Sequence, residues 1–218
     1  MTDAPIETFA SLSAIPWLRH GFLQRVPNLA VNVDRETVIS RLRDHHLNAI
    51  ESIGLGGKIL ATAEQVHGGR VVRVNANSTY PVADCDGMLT NDPGIALSIY
   101  TADCGAIYLV DPVHRAIGLL HSGKKGTELE ILTIAVETMS REFGTEAKSL
   151  IVQLGPCIRP PHYEIDIAAQ IAEQAERAGV SRFFDCGSCT ASNSDTYYSY
   201  RRELGKTGRM LAVLGYGD

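Results

Sequence analysis

The chain has 218 residues, 44% of them hydrophobic, enough for one substantial core without disulfide staples. Its 20 Lys and Arg stand against 25 Asp and Glu, a formal charge of -5, and no segment gathers basic residues into the footprint that phosphate-backbone binding needs, so nucleic acid is disfavoured as a partner. The first twenty residues lack a charged start followed by an apolar core, and no stretch reaches the roughly 18 apolar residues of a membrane span, which disfavours secretion and membrane insertion and predicts a cytoplasmic protein.

In chain order, the first clear element is a helix over residues 34–53, with Asp34 as N-cap and Val38, Leu42, Ala49, Ile50 and Ile53 as an apolar stripe before Gly54. From Lys58 to Leu120 the pattern changes to short β-favouring segments: 58–65, 70–74, 94–100, 106–110 and 115–120. A second helix follows, with Thr127 and Glu130 spaced as a capping box and Leu129, Leu132, Val136, Met139 and Phe143 on one face before Gly144. Residues 148–154 read as a buried strand, and 166–179 as a third helix capped by Asp166, with Ile167, Ile171 and Ala175 inward. No repeat or linker divides the chain, so one domain over 1–218 is predicted. The fold class is α+β, a largely antiparallel or mixed sheet covered by helices. No glycine fingerprint for a nucleotide phosphate follows any strand.

Five cysteines, Cys85, Cys104, Cys157, Cys186 and Cys189, form an odd count spread through the chain, which predicts reduced thiols; the Cys186–Cys189 pair has no second pair to complete a zinc motif. Three polar residues each end an apolar segment: His67, Cys104 and His121. Two imidazoles and a thiolate suit zinc and leave a fourth position open, the arrangement of a catalytic site. Their separations of 37 and 17 residues match no local zinc motif, and a histidine at a strand end is more often a hydrogen-bonded structural residue. The same residues also allow Cys104 as a nucleophile, with His121 or His67 as base and Asp103 or Asp86 orienting the imidazole. Lys124 and Lys125, in a Gly-flanked turn after His121, are candidates for holding phosphate or another anion; a solvated surface turn explains them equally well.

Taken in order, Gln65-Val66-His67-Gly68, Asp84-Cys85-Asp86-Gly87-Met88-Leu89-Thr90, Thr101-Ala102-Asp103-Cys104, His121-Ser122-Gly123-Lys124-Lys125-Gly126, Gly155-Pro156-Cys157-Ile158, Tyr163-Glu164-Ile165 and Tyr197-Tyr198-Ser199-Tyr200-Arg201-Arg202 resemble the signature blocks of the YfiH, or laccase-domain, family. The resemblance implies zinc at His67, Cys104 and His121, and a sandwich similar to the catalytic domain of cytotoxic necrotizing factor. It also implies activity on purine nucleosides with phosphate: phosphorolysis of adenosine, inosine or S-methyl-5′-thioadenosine, and deamination of adenosine. Asp86 or Asp103 is then expected to move protons beside the metal, and Lys124, Lys125 and the more distant Arg25 to hold phosphate.

The chain departs from the family where the usual HAGWRG block reads HSGKKG, losing a tryptophan and replacing a planar arginine fork by lysine, and Gly105 replaces the proline after Cys104. The family's polyphenol oxidase label fits poorly: multicopper chemistry needs about ten histidines and a blue-copper cysteine, whereas the chain has seven histidines. Three alternatives remain open: a metal-free cysteine hydrolase or deamidase at Cys104, in keeping with the family's link to peptidoglycan-precursor editing; a non-catalytic metal-binding homologue; and copper in place of zinc under laboratory loading. The oligomeric state and the physiological substrate are not legible in the sequence.

Overall fold

The structure, a computed structural model, describes residues 4–217. It begins with three elements the apolar pattern does not announce: β1 (Ile6–Glu7), the single turn α1 (Ala10–Ser13) and β2 (Leu18–Leu23). Helix α2 (Arg35–Ser52) follows its predicted course. The Asp34 carboxylate accepts from the Thr37 amide at 2.9 Å, satisfying one orphan donor of the first turn, and Val38, Leu42, Ala49 and Ile50 are buried with His46 among them. Then come β3 (Ile59–Thr62), β4 (Val71–Arg73), β5 (Gly87–Thr90), β6 (Ile95–Thr101), β7 (Gly105–Asp111) and β8 (Ala116–Ser122), of which only β5 lies outside the expected segments.

The predicted second helix is split in two, α3 (Lys124–Glu128) and α4 (Ile131–Phe143), and the capping box does not form. Thr127 lies inside α3, where its hydroxyl donates to the Gly123 carbonyl at 2.8 Å; Glu130 adopts a left-handed backbone (φ 57°) and its carboxylate pairs with Arg177. Leu129, expected on the inner face, is exposed in the break between them. After β9 (Ile151–Leu154), α5 (Ile167–Arg177) starts as predicted, with the Asp166 carboxylate accepting from the Ala169 amide at 2.9 Å. Strands β10 (Arg182–Asp185) and β11 (Met210–Tyr216) complete the chain.

Alternation along β7 and β8 decides how these elements layer. Ala106, Tyr108, Val110, Ile117 and Leu119 enter one core, and Ile107, Leu109, Ala116 and Leu120 enter another, so both strands are covered on both faces. They sit at the centre of a six-stranded sheet ordered β10-β9-β7-β8-β5-β4. One face packs on α4 and α5. The other shares its core with a five-stranded sheet, β1-β2-β11-β6-β3, and with the buried face of α2. The pairs β3–β6, β4–β5 and β9–β10 are parallel and the rest antiparallel, giving the expected mixed α+β architecture. Among the described residues, no helix is long and apolar enough to cross a membrane.

Two histidines in the first core make the fold sensitive to acid. His20 accepts from the Phe9 amide through Nε2 at 2.8 Å, whereas neither ring nitrogen of His46 has a hydrogen-bond partner. Burial lowers both imidazoles to about 4, aided at His46 by the charge of His45. An unfolded histidine takes up its proton near 6.5, so between those values the unfolded chain binds more protons and stability falls as pH drops. A fall of a few kcal/mol in unfolding free energy between pH 7 and pH 4.5 is expected. His46→Leu should cost little at pH 7, because no hydrogen bond is lost, and should flatten part of the acid limb. Urea midpoints across that range check both, and an unchanged acid limb in the variant would show that His46 is not the group titrating.

Candidate metal centre

Strand register brings the candidate residues to one end of the six-stranded sheet. Gly105 opposes Ser122 and Ala106 opposes His121 in the β7–β8 pair, so Cys104, just before β7, lies beside the end of β8 where His121 sits. In the β5–β8 pair Gly87 opposes Leu120, which sets Asp86 against His121: the His121 amide donates to the Asp86 carbonyl at 2.7 Å, and His121 Nδ1 lies 2.8 Å from Asp86 Oδ1. The third residue, His67, comes from the loop between β3 and β4. The ligand atoms of His67, Cys104 and His121 all lie within 4.8 Å of one another.

That loop needs support, because Gln65 (φ 61°) and His67 (φ 60°) both adopt the left-handed backbone that side chains disfavour. Asp86 supplies most of it. Its fully buried carboxylate accepts from the amides of Val66, His67 and Gly68 at 3.1, 3.0 and 2.7 Å, as well as from His121. The Gln65 side chain adds a two-point anchor to β6, donating to the Tyr100 carbonyl at 2.6 Å and accepting from its amide at 3.0 Å. Burial works against charge on Asp86, but His121 and the loop amides outweigh it and hold the carboxyl below its usual range. An ionised Asp86 fixes the proton of His121 on Nδ1 and leaves Nε2 as an electron-pair donor toward Cys104 and His67.

Around Cys104 the electrostatics oppose burial in the same way. Burial raises the thiol, yet hydrogen bonding and charge from His121 and His67 bring it down to about 6. His121 moves up from its ordinary value, since Asp86 and Cys104 together outweigh its desolvation. Gly123 leaves room for the sulfur: a Cβ there would lie 2.6 Å from Cys104 Sγ and 3.7 Å from His67 Cδ2. Gly123→Ala is therefore expected to push Cys104 aside and weaken metal binding at least about tenfold while the far-ultraviolet circular dichroism stays native. Metal content after dialysis against a chelator series measures this; undiminished retention would mean that the sulfur is not a ligand.

The centre opens into a cavity of about 1230 Å³ whose lining includes Arg35, Tyr100, Asp103, Lys124, Lys125, Glu128, Tyr163, Tyr200, Arg201 and Arg209. Lys124 and Lys125 also line it, together with His67, Cys104 and His121. Arg25 is not among the lining: Glu203 holds its guanidinium at 2.8 Å, the Tyr197 carbonyl takes its Nε, and it stacks over the Tyr198 ring at 4.3 Å, so it is spent on a structural corner.

Both aspartates expected to carry protons have their carboxylates hydrogen-bonded within the protein. Asp86 lies beneath His121 and the His67 loop with both oxygens bonded and does not line the cavity. Asp103 lines it, but its carboxylate accepts from Thr190 Oγ1 at 2.6 Å and from the Arg201 amide at 2.7 Å. With its own left-handed backbone (φ 89°), Asp103 ties the Cys104 elbow to the turn carrying Tyr200 and Arg201. Arg201 pairs with Glu164 and lies over the Tyr163 ring at 4.9 Å. Arg202 makes no ion pair among the described residues and donates instead to the Ala191 carbonyl at 2.8 Å. Arg35, Tyr100 and Arg209 carry no spacing signal, because each reaches the cavity from a different element.

A family model described as multi-copper polyphenol oxidoreductase laccase matches residues 25–168 and 161–216. A purine nucleoside phosphorylase from Deinococcus radiodurans is 32% identical over 224 residues, spanning 90% of this chain and 86% of that protein. Another from Streptomyces coelicolor is 29% identical over 193 residues, spanning 76% and 78%. Among solved structures, YlmD from Geobacillus stearothermophilus superposes with a TM-score of 0.83 at 22% identity, covering 99% of this chain and all of that one (100%). YfiH from Bacillus licheniformis gives 0.80 at 21% identity, covering 91% and 92%. With the match running almost from end to end and the fold shared, the chain belongs to this laccase-like YfiH family.

Proposed function

We propose that the chain is a zinc-dependent purine nucleoside phosphorylase, with His67, Cys104 and His121 holding the metal and the same cavity seating nucleoside and inorganic phosphate. The observation that carries this reading is the convergence of two imidazoles and a thiol on the floor of a cavity rich in cations and tyrosines. Phosphorylase names among the relatives support it. The donor set suits a borderline-soft ion, and three protein ligands leave a position toward the cavity. When bound, zinc supplies a Lewis acid that stabilises negative charge developing on the substrate.

The chain's own residues supply the rest. Tyr100, Tyr163 and Tyr200 offer ring faces for a purine, and arginines and lysines offer charge-assisted hydrogen bonds to phosphate oxygens. Held against the sugar, phosphate attacks C1′ while the purine departs, a displacement that positioning and charge stabilisation accelerate. Glu128 is the lining carboxylate that makes no hydrogen bond or ion pair among the described residues, so proton transfer, in phosphorolysis or in deamination of adenosine, falls to it rather than to Asp86 or Asp103.

Metal analysis of protein purified without added metal, run beside a product assay on adenosine, inosine and methylthioadenosine with and without phosphate, tests the reading. One equivalent of zinc with phosphate-dependent base release is expected. Inosine from adenosine without phosphate would add deamination, and zinc with no product from any nucleoside would leave a binding protein. Copper loaded in the laboratory competes for such ligands, so the native ion must be read before any loading. Polyphenol oxidation gains nothing from the donors: His67, Cys104 and His121 form the one group of three or more candidate ligands among the described residues, and a multicopper oxidase needs several coppers exchanging electrons.

A second reading rests on the line Asp86–His121–Cys104, the arrangement of an oriented imidazole beside a cysteine nucleophile. It predicts hydrolysis without metal and alkylation of Cys104 at a rate that added zinc does not change.

A further inference from the structure

A second group of nucleophilic side chains stands apart from the cavity. Cys157, Cys186 and Cys189 are free thiols, and none of them lines it. Their spacing in sequence makes Cys186 and Cys189 the obvious pair, but the fold assembles a different one. Past the end of β9, Cys157 bridges Cys189 in parallel: the Cys157 amide donates to the Ser188 carbonyl at 3.3 Å, and the Thr190 amide donates to the Cys157 carbonyl at 3.1 Å. Residues opposed in this way share a face and stand about 4.8 Å apart, inside the range of roughly 4.4–6.8 Å between Cα atoms that a disulfide spans. Both side chains pack on the second core, that of α4 and α5. Cys186 also lies near Cys157 but packs on the first core, toward Glu7.

The bridged pair adjoins the elbow that presents Cys104. Ile158, next to Cys157, donates its amide to the Asp103 carbonyl at 2.8 Å. Thr190, next to Cys189, donates its hydroxyl to the Asp103 carboxylate at 2.6 Å. A covalent link between the two cysteines therefore joins two of the segments that hold Asp103.

We propose that Cys157 and Cys189 form a reversible disulfide, a redox modification site that stiffens the Cys104 elbow when it closes. The oxidant is a low-molecular-weight disulfide such as glutathione disulfide. Cys189 is half-buried and meets it first, whereas Cys157 is sealed from solvent. The Cys189 thiolate attacks one oxidant sulfur, forming a mixed disulfide and releasing one thiol, which takes up the proton Cys189 gave up. Cys157 then attacks the Cys189 sulfur: the Cys157–Cys189 bond forms, the mixed disulfide breaks, and the second oxidant thiolate leaves with the Cys157 proton. Two protein thiols are oxidised and one small disulfide is reduced to two thiols. Burial pushes the Cys157 thiol up to about 12, so the second step is the slow one. Neither the metal nor phosphorolysis enters this chemistry.

Protein as purified, equilibrated in glutathione buffers from reducing to oxidising, then blocked with N-ethylmaleimide and mapped by mass spectrometry, tests this. A peptide joined between Cys157 and Cys189 is expected, with the melting temperature raised by roughly 5–10 °C by the closed loop. Hydrogen exchange at the amides of Ile158, Thr190 and Arg201 should slow at least about threefold while that of α2 stays unchanged. The joined peptide should persist in Cys186→Ser and be absent from Cys189→Ser, in which the rise in melting temperature should vanish. A bridge between Cys186 and Cys189, or glutathione retained on Cys189 with no internal bridge, overturns the pairing. A Cys157–Cys189 bridge that leaves those three amides exchanging as before overturns its link to the elbow.

Discussion

Replacing Cys104 with alanine is expected to remove metal and phosphorolysis together. Zinc sites with full ligand sets bind with about 10–16 kcal/mol, so one ligand of three or four accounts for about 3–4 kcal/mol, or roughly 10²–10³-fold in affinity. The loss falls on the site rather than the fold. The elbow that presents Cys104 is held by Asp103, through Thr190, the Arg201 amide and the Ile158 amide on its carbonyl, and none of those bonds involves the sulfur. Elemental analysis, phosphate-dependent base release and thermal unfolding of the variant read the three quantities separately. Full zinc with full activity would sink the ligand assignment. Full zinc with lost activity would transfer Cys104 to the nucleophile of the cysteine-hydrolase reading.

Asp86→Ala should be the most damaging single change, because one buried carboxylate answers four donors: three consecutive loop amides and His121 Nδ1. Leaving buried donors unpaired costs about 1–3 kcal/mol each, and breaking a buried charged pair about 3–5 kcal/mol; these are not additive, so a drop of about 3–5 kcal/mol in unfolding free energy is expected. Metal affinity should fall about 10–100-fold as His121 loses its fixed tautomer and the His67 loop its anchor. Asp86→Asn keeps one acceptor but turns an amide NH₂ toward other donors, so it should recover part of the stability and little of the metal affinity. Urea unfolding of the metal-free protein, compared with zinc titration, separates the effects. A variant with native stability and native affinity would show that the loop and His121 are held by something else.

Caps, periodicities and residue chemistry are short-range features, and these the sequence determined by itself. Asp34 and Asp166 cap α2 and α5 where their spacing predicts, because a carboxylate three residues before an amide acts whatever surrounds it. The strands from β3 to β9 are legible apart from β5, and so is the choice of His67, Cys104 and His121 as the chain's metal-donor types at segment ends. The capping box at Thr127 and Glu130 fails for a tertiary reason: the turn after Gly123 engages the Thr127 hydroxyl, and the pair with Arg177 draws Glu130 away. The expected strands leave out β11, although its seven buried residues form as apolar a run as those of β7 and β8.

The centre itself belongs to the tertiary structure. Separations of 37 and 17 residues acquire meaning only through the register that sets Gly105 against Ser122 and Gly87 against Leu120. The same register turns Asp86 from a candidate proton carrier into the support of His121 and its loop, while Glu203 takes Arg25 from the cavity and Arg35 and Arg209 arrive from distant elements. Sheet register is a long-range choice made by packing over the whole core, so the sequence determined which chemistry the chain carries and only the fold decided which residues meet.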